Sequence, residues 1–348
     1  MRNPRITALA HQQDGLITRQ QALAAGASAA AIRYAVEAGR WQVAVRGIYA
    51  TFAGPMARIH QLRAAVLHSG PESVVTGATA CAMINLRYVP ECDLVDTLVA
   101  EHRRPRDTAF VRVNRTSRLP EPVWWIDTSS PGAAADHATA SPWWVPGDPL
   151  APSTRRWTIP IAPAARAAID AVRFHCLALA TAGNLDAFRR HRLLQDVRAL
   201  LCEVVQRRHC SVDDLLAELA AAPQPGTALA HRALDDVIAG CRSTAECDLR
   251  DVIRPTPALP EPRWNQPLPG FPSLFPDACW PEARLVVEVD SVEWHQFGDA
   301  PEKTARRHAL YAALGWRVFP VSPHRLRNDG AQVRRELVAA YRSGLANA

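Results

Sequence analysis

The stretch Arg284-Leu285-Val286-Val287-Glu288-Val289-Asp290 constrains this chain more than any other. A run so rich in β-branched residues reads as a strand, and its valines mark it as central in a sheet. Alternation sends Leu285, Val287 and Val289 to one face and Val286, Glu288 and Asp290 to the other. Two carboxylates therefore project together from a strand whose neighbours are apolar. Upstream lies Leu274-Phe275-Pro276-Asp277-Ala278-Cys279-Trp280, and Pro281-Glu282-Ala283 supplies a tight turn between the two stretches. That turn brings Asp277 opposite Glu288, to within about one residue of register. Glu246 lies in a helical stretch, Ser243 to Arg250, on the face shared by Leu249 and Ile253. A carboxylate on an apolar face needs a partner. Asp248 and Asp251 fall off that face and are expected in solvent.

Carboxylates gathered at short range repel one another, and burial makes the repulsion worse. A hard divalent cation with oxygen ligands, Mg²⁺ or Mn²⁺, is the natural remedy, and such an ion polarises a phosphate and activates water. Asp277, Glu288 and Asp290 are the expected ligands, with Glu246 behind them. The alternative is an exposed acidic hairpin with Glu288 and Asp290 in water. His295 follows the strand and is a candidate base or water-orienting group, or a structural histidine. Arg306 and Arg307 stand near the start of an amphipathic helix read from Thr304 to Leu314. They would grip phosphate, or simply solvate the helix start.

The first 54 residues have another pattern. A helix over about 3–12 leads to the turn Asp14-Gly15. Thr18 caps a second helix ended by Gly26, and Ser28 caps a third ended by Gly39. Two short strands follow, Arg40-Trp41-Gln42-Val43 and Gly47-Ile48-Tyr49-Ala50. Three short helices and a hairpin make the pattern of a winged helix-turn-helix. The third helix would offer Arg33 and Tyr34 to duplex DNA, with Arg40, Trp41 and Arg46 at the backbone or wing. A protein-contact role for the same module is the alternative.

Between these ends, a helix at about 57–68 and short strands at 73–75, 95–99 and 110–114 give a mixed region. Residues 131–157 are rich in Pro, Gly, Ala and Ser and read as a long loop. Residues 162–240 carry the spacing of helices. No catalytic constellation stands out in 57–240. His175-Cys176 and His209-Cys210 are adjacent pairs that point to different helix faces and read as structural. No C-x-x-C pair occurs among the eight cysteines, so a zinc ribbon is disfavoured and reduced thiols in a cytoplasmic protein are expected. No apolar run is long enough to span a bilayer, and no signal peptide is read at the N-terminus. The net charge of +6 permits a polyanionic partner. Lys303 is the only lysine, placed beyond Pro301 in an expected loop.

The acidic segment resembles the very-short-patch-repair-like branch of the PD-(D/E)xK nuclease superfamily. The matching residues are Glu246, Pro276 to Pro281, Leu285 to Asp290, Trp294-His295, and Arg306-Arg307 running into Leu314 to Val318. The N-terminal segment, Leu16 to Arg19 and Gly39 to Ala50, is similar to the winged helix-turn-helix of AbiEi-type antitoxins. Together the resemblances imply a multi-domain α/β chain. Its parts would be a winged helix (1–54), a mixed then mainly helical middle region (55–240), and a restriction-endonuclease-like core (241–348). They imply DNA as partner, with a cognate toxin or defence protein as a further one. The superfamily motif ends in lysine, where this chain has Asp290. The very-short-patch-repair branch lacks that lysine and relies on histidine, which points to His295. Ser291 stands where the family more often has glycine, and His308 where an aspartate is expected. Three readings follow: a Mg²⁺-dependent endonuclease or nickase, an antitoxin-like regulator whose nuclease-like domain is inactive, or a scaffold that touches no nucleic acid.

Overall fold

The computed structural model describes residues 3–126, 158–183, 186–290 and 300–347. Its contacts divide the chain into two compact units, Met1–Ala178 and Leu179–Ala348, both of mixed helix and sheet. The loop expected at 131–157 and the Trp294-His295 pair lie outside the described residues.

The first unit begins with α1 (Pro4–Gln12), β1 (Leu16–Thr18), α2 (Arg19–Ala24), α3 (Ala29–Glu37) and the hairpin β2 (Gln42–Val45) and β3 (Ile48–Ala50). The caps read from the sequence form. Thr18 accepts from Gln21 N–H in a full capping box, and Ser28 accepts from Ala31 N–H. Ile6, Leu9, Ile17, Ala22, Ala25 and Ile32 make a small core beneath the helices. β1 was not expected; it pairs with β3 and extends the hairpin to three strands in the order β1-β3-β2.

Further on come α4 (Arg58–Ser69), β4 (Val74–Val75), α5 (Gly77–Met83), β5 (Val95–Ala100), β6 (Val111–Thr116), β7 (Val123–Ile126), β8 (Thr158–Ile161) and α6 (Ala164–Thr181). The five strands form one sheet, ordered β6-β5-β4-β8-β7. β7 and β8 escape the sequence reading. Pro160 argues against an interior strand, because proline cannot donate to a ladder. It is tolerated because β8 meets β4 only at Val75 and Ile161, while Pro160 itself faces Trp124 of β7. Arg63 of α4 and Asp14 form a fully buried ion pair at 2.7 Å, which ties α4 to the turn after α1.

The second unit opens with α7 (Ala187–Gln206), α8 (Val212–Ala221), α9 (Ala228–Ala239) and α10 (Thr244–Ile253). Then follow β9 (Arg263–Trp264), β10 (Ala278–Trp280), a 3₁₀ turn at Pro281–Ala283, β11 (Leu285–Val289), α11 (Ala300–Ala313), β12 (Arg317–Val321), α12 (Pro323–Asn328) and α13 (Gly330–Ala346). The sheet runs β12-β11-β10-β9, with β12 parallel to β11 and the rest antiparallel. Both faces of β11 are covered. Leu285 and Val287 join Leu249, Val252 and Trp280 on one side. Val286 and Cys279 join Tyr311 and Trp316 on the other. Each such buried side chain contributes about 1.5–3 kcal/mol of burial energy. Helix α13 passes so close to the 3₁₀ turn that a Cβ on Gly344 would stand 2.2 Å from the Ala283 carbonyl oxygen.

Two expectations are corrected here. Asp248 is buried, not solvated: Gln195 donates to it at 2.6 Å and Arg327 stands 3.6 Å away. Asp251 is only partly exposed and pairs with Arg198 at 2.7 Å. The cause is α7, which packs on α10 and brings Arg198, itself bonded to Asp236 through Nε at 2.9 Å and Nη2 at 2.7 Å. Lys303 lies within α11 and not in a loop. Pro301 does not block the helix, because the first turn has no intrahelical use for its missing N–H.

Candidate functional site

The β10–β11 register pairs Ala278 with Val287, Cys279 with Val286 and Trp280 with Leu285. Continued by one residue, it sets Asp277 opposite Glu288. The reversal is achieved by the 3₁₀ turn and by Arg284, which takes a left-handed φ of 44°. Asp277 Oδ2 accepts from the Val289 backbone N–H at 2.7 Å, fastening the carboxylate to the end of β11. Burial, then the Asp290 charge, pushes the Asp277 carboxyl above its ordinary range, against that hydrogen bond and Arg307.

The Glu288 side chain is fully buried. Neither of its oxygens has a hydrogen bond of good geometry. Arg307 approaches from α11, with Nη2 2.5 Å from Oε2, as an ion pair. Tyr311, one helical turn further along α11, is buried beside the same carboxylate. Burial and then the Asp277 charge push the Glu288 carboxyl up to about 8, with Arg307 opposing. Glu246 is pushed up to about 7, again by burial first and Asp277 second. That coupling sets Glu246 near the pair, but its oxygens are already used. They accept from the Arg242 N–H at 2.8 Å, the Ser243 hydroxyl at 2.8 Å and the Asn265 amide. Glu246 is thus partnered by the start of its own helix and by Asn265.

Asp290 is part-exposed and faces Nε2 of His308 at 3.8 Å. Among the described residues no three His, Cys, Asp or Glu side chains stand close enough to hold an ion together as they are. The pair Asp277 and Glu288 nevertheless fits a hard divalent cation chemically. It offers carboxylate oxygens only, and those of Glu288 are met by the Arg307 ion pair and the neighbouring Tyr311 and, among the described residues, by no other donor. Mg²⁺ commonly uses one or two carboxylates and completes its shell with water and phosphate. The two arginines of α11 part company. Arg307 points to Glu288, whereas Arg306 is exposed and pairs with Glu302 one turn back. His295 lies outside the described residues. Sequence reasoning missed Tyr311, Asn265 and the tie between Arg307 and Glu288. The spacing of four between Arg307 and Tyr311 was the available signal, since it puts both on one helix face.

At the N-terminal end, α3 buries Ile32 and Ala35 and leaves Arg33 and Tyr34 exposed. Arg40 lies over the Tyr34 ring at 5.1 Å from its centroid. Arg46 is exposed at the tip of the β2–β3 hairpin. Trp41 is half-buried and packs against Tyr49, with 5.9 Å between ring centroids. It therefore contributes to the module's core as well as to its surface.

Residues 4–51 match the family described as "Transcriptional regulator, AbiEi antitoxin". Over 177 residues the chain is 28% identical to "Uncharacterized protein Rv2248" of Mycobacterium tuberculosis (strain ATCC 25618 / H37Rv). It is equally similar to "Uncharacterized protein MT2308" of Mycobacterium tuberculosis (strain CDC 1551 / Oshkosh). These matches take in 48% of this chain and 64% of each relative, so the chain spans less than two thirds of their length. Among solved structures, the crystal structure of the RV2827C protein from Mycobacterium tuberculosis is similar with a TM-score of 0.38 and 17% identity. It covers 66% of this chain and 74% of its own.

Proposed function

We propose that this protein is a DNA-binding transcriptional regulator of the antitoxin kind, with residues 1–54 acting as a winged helix-turn-helix. The match of residues 4–51 to the antitoxin regulator family supports the class. The observation that carries the reading is α3, which packs through Ile32 and Ala35 and leaves Arg33 and Tyr34 outward. In this reading α3 enters the major groove, while Arg40, Trp41 and Arg46 lie at the backbone or wing. Duplex DNA is the primary partner, and a cognate toxin or defence protein is the second. Among the described residues no helix is long and apolar enough to cross a membrane. Anisotropy titration of labelled duplex DNA at several salt concentrations tests it, since phosphate contacts make affinity fall as salt rises.

A second reading is favoured by the fully buried carboxylate of Glu288 set opposite Asp277. It gives residues 241–348 a restriction-endonuclease-like core that cuts or nicks DNA. Asp277 and Glu288 would hold Mg²⁺ or Mn²⁺, with Asp290 as an added ligand and Glu246 behind. The bound ion would supply Lewis-acid polarisation of a phosphate and a more acidic water. Arg307 is suited to move between Glu288 and a phosphate oxygen, as one guanidinium serves either anion. His295 keeps the role of base or water-orienting group in this reading. Plasmid nicking with Mg²⁺ or Mn²⁺, compared with Asp277→Ala and Glu288→Ala, separates the readings. Cleavage lost in both variants supports the nuclease. No cleavage by the wild type with any metal, together with tight DNA binding, leaves the regulator alone.

A further inference from the structure

We infer that the DNA-reading module also holds an effector pocket for a small aromatic anion, set between α1, α3 and the start of α4. A cavity of about 1000 Å³ lies there. It is at the upper end of the volumes that small-molecule sites use, roughly 300–1,000 Å³. Its wall is aromatic on several sides, through Tyr34, Trp41, Phe52 and the imidazole of His60. Phe52 and His60 meet at 4.8 Å between ring centroids, tilted by 50°. The Phe52 ring rests on Gly15, where a Cβ would stand 2.9 Å from it at a φ of +83°. Gly15 thus leaves room for the ring at this point of the cavity wall. A lining rich in aromatic rings favours a ring as occupant, through offset or edge-to-face contacts.

The polar side chains of the lining decide the charge. The carboxylate and the carboxamide present are already committed. Asp14 is held by Arg63 at 2.7 Å, and Asn3 caps α1 through its side-chain oxygen while its amide donates to Ala25 O. The Thr51 hydroxyl donates to Gly15 O. The uncommitted groups are chiefly donors. Arg40 is exposed and lies over the face of Tyr34. His60 accepts the Ala57 N–H at Nδ1. Burial lowers its pKa below the ordinary value, so the neutral ring carries its proton on Nε2 as a donor. Trp41 adds an indole N–H. A cation and donors around aromatic rings select a ring bearing one anionic group.

Tyr34 and Arg40 also belong to the surface proposed to meet DNA, so an occupant would compete with DNA for them. The pocket itself does not depend on that reading. Its test is therefore made without DNA, by titration calorimetry of the full chain with salicylate, indole-3-carboxylate, benzyl alcohol and inorganic phosphate. Both aromatic carboxylates should bind, and the neutral ring and phosphate should each bind about tenfold more weakly or worse, as expected when either the charge or the ring is missing. Arg40→Gln should weaken salicylate about tenfold, the loss of one charge-assisted contact. Tyr34→Leu should weaken it measurably. Both side chains are exposed, so neither replacement disturbs the core, and circular dichroism checks that. The proposal is overturned if neither carboxylate binds, if phosphate binds as well as salicylate, or if Arg40→Gln binds salicylate like the wild type. A second arm adds salicylate to the DNA complex. Displacement links the pocket to regulation, and binding without displacement overturns only the competition.

Discussion

Arg307 of α11 places Nη2 2.5 Å from Oε2 of Glu288, a carboxylate with no exposed surface on β11. The guanidinium is the cation this acidic centre already has. It opposes the burial and the Asp277 charge that push the Glu288 carboxyl up to about 8. Arg307→Gln should therefore destabilise the second unit at pH 8 more than at pH 5.5, where Glu288 is protonated in both proteins. Thermal melts of wild type and variant at the two pH values measure this. An equal loss at both would mean that the pair contributes no charge-dependent stability.

The same carboxylates make stability depend on pH. Glu288 and Glu246 have folded pKa values of about 8 and about 7, above their ordinary 4.5. Between those values the folded chain holds more protons than the unfolded one, so stability falls as pH rises. The contribution is complete below pH 4.5 and is lost as pH climbs through about 7 to 8. Urea denaturation at pH 5, 6.5 and 8 without metal should show this decline, and Glu288→Gln should flatten it. If Asp277 and Glu288 hold a divalent ion, adding Mg²⁺ or Mn²⁺ at pH 8 should restore stability to the wild type and not to Glu288→Gln. A wild type indifferent to both ions would count against the metal site.

How far the sequence reveals this centre depends on the range of each signal. The facing of Asp277 and Glu288 is legible because alternation and a short turn are local. The partner of Glu288 is not, because it depends on where α11 begins. A helix read from Thr304 leaves Arg307 in a solvated first turn. The helix starts at Ala300, and Arg307 falls within its body, facing β11. Asp248 fails for a similar reason. Its own helix places it off the apolar face, and the groups that meet it there are far off in the chain: Arg198 and Gln195, some fifty positions upstream on α7, and Arg327 downstream on α12. In the first unit the caps at Thr18 and Ser28 are legible, since each is settled within three residues. Strand β8 is hidden by Pro160, whose tolerance depends on a partner strand far away in the chain.

The buried pair of Asp14 and Arg63 gives a prediction for the first unit. Both side chains have no exposed surface. Arg63→Met leaves Asp14 buried without its cation and should cost about 3–5 kcal/mol. Replacing both, as Asp14→Asn with Arg63→Met, should cost less than the sum of the single changes, because no bare charge remains. Denaturant curves on the four proteins close the cycle, and strictly additive losses would show that the two groups do not depend on each other.

In the proposed function, residues 1–54 read duplex DNA through α3 and the β2–β3 hairpin. The most direct measurement is the salt dependence of DNA affinity for wild type, Arg33→Ala and Arg46→Ala. Each phosphate contact contributes about 0.9 to the slope of log affinity against log salt. The wild type should lose affinity steeply as salt rises. Arg46→Ala should reduce the slope by about one contact, and Arg33→Ala should weaken binding to a preferred sequence more than to random duplex. Affinity that does not change with salt, or variants that bind like the wild type, would contradict DNA reading by this module.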